Sequence, residues 1–145
     1  MITSSIEIDR PQAVVFAYLD ELGKHSEWQG DLVSSRMETE GPVRVGTRAS
    51  DTRKVPGGPR EFTYEITEHN PPRRSSWRVV EGPVRAVGSV TVEPVGDGNR
   101  SRVTVDFDLE GHGIGLLFAP LARMQARRQV PRDQATLKEI LERRS

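Results

Sequence analysis

The stretch RSRVTVDFDLEGHGIGLLFAPLARM, residues 100–124, changes its period halfway along. Val103, Val105, Phe107 and Leu109 alternate with Thr104, Asp106, Asp108 and Glu110, the two-residue period of a strand with one buried face. Beyond Gly111-His112-Gly113, the residues Leu117, Leu121, Met124 and Arg128 recur at helical spacing, and Leu137, Ile140 and Leu141 continue the stripe. A strand therefore leads into a long amphipathic helix at Ile114–Arg143. Pro131 falls inside that pattern, and the residue before a proline disfavours helix, so a kink or short break is expected near Val130.

Upstream, the period of two dominates. Gly96-Asp97-Gly98-Asn99 is a hairpin signal between Val84–Val95 and the strand just described. Arg73–Glu81 carries Trp77 and Val79 on one face, and Phe62, Tyr64 and Ile66 alternate with polar residues before the turn at Asn70-Pro71-Pro72. Gly46–Val55 reads as a polar strand closed by Pro56-Gly57-Gly58-Pro59. From Leu32, the residues Val33, Ser35, Met37 and Thr39 alternate as a half-buried strand. At the start, Ile2–Ile8 is a short strand. Asp9-Arg10-Pro11 then opens a helix, with Pro11 as first helical residue, and Val14, Val15, Tyr18, Leu19 and Leu22 form its buried stripe. His25-Ser26-Glu27-Trp28 forms a second short helical turn. Turn signals at hairpin spacing, with helices only at the two ends, predict an α+β fold. It consists of one curved antiparallel sheet of about seven strands packed on the final helix, in a single domain spanning 1–145.

The composition excludes several chemistries. The 145 residues contain no cysteine, which removes disulfides, thiol nucleophiles and cysteine-ligated metals. The 21 basic and 21 acidic residues balance, against the positive excess of a sequence-independent nucleic-acid binder, so no nucleic-acid partner is expected. Lys24, Lys54 and Lys138 are the only lysines available for Schiff-base chemistry. No apolar run approaches the roughly 18 residues of a membrane span. The first residues lack the charged and apolar regions of a secretion signal, so the expected location is the cytoplasm.

The order of elements resembles the helix-grip fold of the START-like (SRPBCC) superfamily, and within it the polyketide cyclase/dehydrase-like branch. Ile6-Glu7-Ile8-Asp9-Arg10-Pro11 with Val14, Phe16 and Leu19 resembles that family's opening strand and entry to its first helix. His25-Ser26-Glu27-Trp28 resembles its Trp-containing second helix, and Gly41-Pro42-Val43-Arg44-Val45-Gly46-Thr47 its G-P-x-x-V-G-T turn. Phe62–Glu68 with Pro71-Pro72 resembles its E-I-x-E-x-x-P-P hairpin, and Leu137–Glu142 its closing helix. The resemblance implies a small apolar or aromatic molecule held between sheet and final helix. Because this fold hosts carriers, receptors and cyclases alike, it does not choose among them.

That space would be lined by Trp28, Phe62, Tyr64, Trp77 and Val79. Val90, Phe107, Phe118, Leu121 and Met124 would complete it, although the same set would serve as an ordinary filled core. Tyr64, Trp77, Ser35 and Ser75 are the polar groups that could orient a ligand. Asp51 and Arg53 share one strand face whose direction the pattern leaves open. A cyclase or dehydratase is an alternative and needs an acid or base. Of the histidines, His69 and His112 read as solvated loop residues, which leaves His25, beside the Trp28 segment. Catalytic residues are otherwise unassigned. Asp106, Asp108 and Glu110 share a strand face, but Val105, Phe107 and Leu109 claim the buried one, so the acids read as solvated. Neither metal nor cofactor is expected. Arg123, Arg127, Arg128 and Arg132 cluster on the last helix, where residues 119–145 hold seven basic and three acidic groups. They form either a solvated face or an interaction surface. Assembly into a homo-oligomer stays open.

Overall fold

Seven antiparallel strands form one curved sheet. The computed structural model describes residues 2–55, 57–110 and 115–143, with the side chains at 110, 115–119 and 122 outside the description. The strands are β1 (Ile2–Ile8), β2 (Leu32–Met37), β3 (Arg48–Val55), β4 (Gly58–Asn70), β5 (Arg74–Glu81), β6 (Arg85–Val95) and β7 (Arg100–Glu110). Helix α1 (Gln12–Leu19) and a 3-10 segment (Leu22–Glu27) separate β1 from β2, and α2 (Gly115–Arg143) follows β7. The sheet order is β1-β7-β6-β5-β4-β3-β2, so β2 to β7 are a run of hairpins and β1 adds beside the last strand. This is the helix-grip α+β architecture.

Cross-strand register sorts the side chains. Tyr64 opposes Val79, Ile66 opposes Trp77, Trp77 opposes Gly88 and Gly88 opposes Phe107, so these positions share the concave face. That face carries two apolar clusters. In the first, Val15, Phe16 and Leu19 of α1 and Leu137 and Leu141 of α2 pack on Ile8, Val92 and Val103, filling one end of the concavity. In the second, Ala49, Tyr64, Ile66, Val79, Ala86 and Leu109 line the other end, with Phe62, Trp77 and Phe107 only partly buried against them.

The structure corrects several expectations. Helix α2 runs unbroken through Pro131, with no interruption at Val130. Its phase also differs from the expected stripe. The C-terminal half is anchored by Gln134, Leu137 and Leu141, which are all but inaccessible to solvent. Tracing that buried line back at 3.6 residues per turn leads through Val130 and Ala126 to Arg123. Leu121 and Met124 consequently fall on the solvent side, each 51% exposed. On β2, a bulge between Leu32 and Ser34 interrupts the alternation, so Leu32 is buried while Val33 is 51% exposed. Pro11 sits one position earlier than expected, capping α1 instead of opening it.

Candidate functional site

The aromatic row on the concave face has a definite construction. The rings of Tyr64 and Trp77 meet edge-on at 6.4 Å, and Trp77 meets Phe107 at 5.6 Å. Trp77 crosses β6 to do so, and Gly88 permits it: a Cβ there would lie 2.4 Å from the Trp77 ring. Phe62, Trp77 and Phe107 face inward and are only partly buried against the second cluster.

Beside this row lies a polar group assembled from β2, β3, β4 and the loop after the 3-10 segment. Ala49 opposes Tyr64 and Asp51 opposes Phe62, which turns Asp51 onto the concave face. Its side chain is 3% exposed, the degree of burial that requires a carboxylate to be paired. Ser35 donates to Asp51 Oδ1 at 2.9 Å, and Arg53 Nη2 donates to Oδ2 at 3.1 Å. Arg53 is gripped from the far side by Asp31 at 3.0 Å and by the Gln29 side-chain oxygen at 2.6 Å. The loop that presents Gln29 and Asp31 is tied to α2, because the Gly30 N–H donates to Asp133 Oδ1 at 2.9 Å and Gln129 donates to the same oxygen at 2.7 Å. Burial raises the Asp133 carboxyl above its ordinary range, and these two bonds oppose the shift.

Two polar side chains, Tyr64 and His25, lie within reach of the charges of that ion pair, and Trp28 packs on His25. Tyr64 is 8% exposed, and its buried hydroxyl has no hydrogen-bond partner among the described residues. Burial pushes its pKa far up, the Asp51 carboxylate adds to the shift and Arg53 partly offsets it, so the phenol is neutral and a donor. Trp28 Nε1, also buried, is likewise without a partner among the described residues. His25 packs edge-on against Trp28 at 5.3 Å and donates from Nε2 to the Leu19 carbonyl at 2.7 Å. Burial lowers the His25 pKa, while the Leu19 bond and Asp51 pull the other way. A neutral ring that donates from Nε2 keeps its lone pair on Nδ1. The arrangement therefore offers two neutral donors, one buried carboxylate held by an arginine, and one imidazole lone pair.

Helix α2 spans the concavity at this end. Arg123 donates to the Leu109 carbonyl at 2.6 Å on one lip, and Gln125 donates to the Lys54 carbonyl at 3.3 Å on the other.

The structure gathers most of the expected lining residues. Phe62, Tyr64, Trp77, Val79 and Phe107 lie on one wall, whereas Val90 and Trp28 pack against the α1 cluster. The Phe118 side chain and His112 lie outside the description. Leu121 and Met124 face solvent, as the phase of α2 dictates. Ser75 is buried on the concave face, opposite His69. His69 is not a solvated loop residue: its side chain is 12% exposed and Nε2 meets Asp20 at 2.9 Å. A bulge between Ile66 and Glu68 shifts the phase of β4 and turns His69 inward. Asp106 and Asp108 do lie on the outer face, where Asp106 accepts from Thr3 and Asp108 lies 3.8 Å from Arg123. Sequence reading missed Gln29, Asp31 and Asp133 altogether. Ser35 and the charged pair Asp51 and Arg53, two residues apart on a strand, were the visible signals of this polar group. A groove of about 390 Å³ also exists on the outer face, around Arg74, Ser76, Ser89 and Asp106, and it is lined as well by Trp77, Gly88 and Phe107 of the aromatic row. Glu68, Thr91 and Ser89 already satisfy its arginine, and it shares nothing with the inward polar group.

A curved sheet gripping a C-terminal helix, with an aromatic wall and buried polar groups inside, defines the START-like class. The chain belongs to the polyketide cyclase / dehydrase and lipid transport family, whose model matches residues 1–144. Among solved structures it is similar to the Zhui aromatase/cyclase from Streptomyces sp. R1128, with a TM-score of 0.82 at 16% identity, covering 99% of this chain and 93% of that one. It is also similar to a START superfamily protein from Mycobacterium smegmatis, with a TM-score of 0.80 at 11% identity, covering 99% and 98%. A protein from Thermus thermophilus gives a TM-score of 0.77 at 20% identity, covering 99% and 98%. No curated protein matches the sequence. No described helix is long and apolar enough to cross a membrane.

Proposed function

We propose that the protein binds a small, largely apolar or aromatic molecule carrying a carbonyl or hydroxyl group, between the concave face of β3–β7 and the N-terminal half of α2. The observation that carries this reading is the Tyr64 hydroxyl, buried and without a described partner at the end of a half-buried aromatic row. A buried polar group left unpaired costs about 1–3 kcal/mol, and a ligand oxygen that reaches the hydroxyl as the surrounding side chains part would recover that cost. Family membership supports the same ligand class. The test is native mass spectrometry of the purified chain, followed by a thermal-shift screen of hydroxylated and keto-aromatic compounds. A binder should raise the melting temperature, since it stabilises only the folded state. Tyr64→Phe should weaken that ligand about 5- to 30-fold, the equivalent of one good hydrogen bond, while leaving the unliganded protein as stable or slightly more so. Hits that bind Tyr64→Phe as tightly as the wild type would remove Tyr64 from the site, and a screen without hits would remove the site itself.

The second reading is catalysis, a cyclisation or dehydration of a polyketide-like substrate. His25 favours it, because its Nδ1 lone pair could take a proton while the neutral Tyr64 hydroxyl polarises a carbonyl. Turnover that survives His25→Gln would exclude that role.

A further inference from the structure

The solvent face of α2 carries a composition that neither the fold nor the proposed ligand site explains. Leu121, Met124, Arg127, Arg128 and Arg132 recur at three- and four-residue spacing and are all exposed, so they form one continuous stripe. From residue 121 to residue 132 it runs about 17 Å along the helix. Leu121 and Met124 are each 51% exposed at its start. Arg127, Arg128 and Arg132 make no ion pair with any described residue, whereas the neighbouring Arg123 of the same helix lies 3.8 Å from Asp108. The segment 120–132 contains four arginines and no acid, although the chain as a whole is neutral. The charge is therefore concentrated on one patch, with two apolar side chains at its edge.

We propose that this face of α2 docks on an anionic lipid surface, with Leu121 and Met124 entering the headgroup boundary and Arg127, Arg128 and Arg132 meeting the lipid charges. Each part suits that partner. Exposed aliphatic side chains gain by leaving water at the interface, and arginines near an anionic leaflet each add affinity that salt screens. A single-stranded nucleic acid fits less well, because no aromatic ring lies on the stripe to stack with bases. The docking surface is separate from the concave face, so the test reads nothing from the ligand site.

The test is co-sedimentation of the full chain with phosphatidylcholine vesicles, with and without phosphatidylserine, at low and physiological salt. Binding should require phosphatidylserine and weaken as salt rises. The double variant Arg127→Glu, Arg128→Glu should lose at least about tenfold in vesicle affinity. Leu121→Ser with Met124→Ser should lower affinity while keeping the salt dependence. Arg78→Glu, at an exposed position on the outer face of β5, should change nothing. All these positions are exposed, so unchanged melting temperatures confirm that each variant is folded. Absence of phosphatidylserine-dependent binding, or its survival after the Arg127 and Arg128 reversal, overturns the proposal. Tighter binding to RNA or polyglutamate than to the vesicles also overturns it and gives the stripe to an acidic macromolecule.

Discussion

Replacing Gly88 by alanine tests the aromatic wall at its tightest point. The added Cβ would lie 2.4, 2.7 and 2.9 Å from three atoms of the Trp77 ring. The ring must retreat by about 1 Å to regain ordinary van der Waals distance. It cannot retreat freely, because Tyr64 and Phe107 hold it on either side at 6.4 and 5.6 Å. Overpacking of this kind costs about 1–3 kcal/mol, and each disturbed aromatic pair forfeits part of about 0.5–1.5 kcal/mol. The expected loss is about 3 kcal/mol, read from urea denaturation, with a fall of roughly 10 °C in melting temperature. Trp77 fluorescence, followed in a Trp28→Phe background, should shift as the ring moves. In combination with Trp77→Leu the added methyl should be nearly harmless, because the atoms it meets are gone. A Gly88→Ala protein within about 0.5 kcal/mol of wild type would refute the reasoning, as would strict additivity in the double variant.

Three other outcomes follow from the polar group. Arg53→Ala leaves the Asp51 carboxylate buried and short of its cation, and should cost about 2–3 kcal/mol of unfolding free energy; Asp51→Asn in the same chain should recover part of it. His25 takes up a proton less readily in the folded chain than its ordinary value of 6.5. Its contribution to stability is therefore present above that value and is lost as the pH falls below it, because the unfolded chain binds the proton first. His25→Gln keeps a donor for the Leu19 carbonyl, so urea midpoints measured against pH should show a shallower decline than wild type; an identical slope would discard the assignment. Asp133→Ala leaves the Gly30 N–H without its acceptor and should cost about 1–3 kcal/mol, whereas Asp133→Asn still accepts and removes a buried charge, so it should be neutral or stabilising at pH 7. A thermal melt of the two variants side by side separates these outcomes.

The alternation of Val103, Val105, Phe107 and Leu109, the turn at Gly96–Asn99 and the helical spacing of Leu137, Ile140 and Leu141 were enough to read the sheet and its closing helix, because these are short-range periodicities in hydrophobicity. The aromatic row was legible for the same reason: Phe62, Tyr64, Trp77 and Phe107 each sit on the apolar face of their own strand. Tertiary structure alone decided three things. It set the phase of α2, since a helix rich in arginine has no strong apolar line until Leu137 and Leu141 are docked on β1 and β7; Leu121 and Met124 then turn outward. It placed His69 inward, through a bulge that no local signal announces. It also turned Asp51 and Arg53 inward, where burial is tolerable only because Ser35, Asp31 and Gln29 arrive from segments 16 to 24 residues away. Apolar residues declare their burial in the sequence because water alone excludes them. A buried charge declares nothing until its partners have been brought to it, and that assembly is the work of the fold.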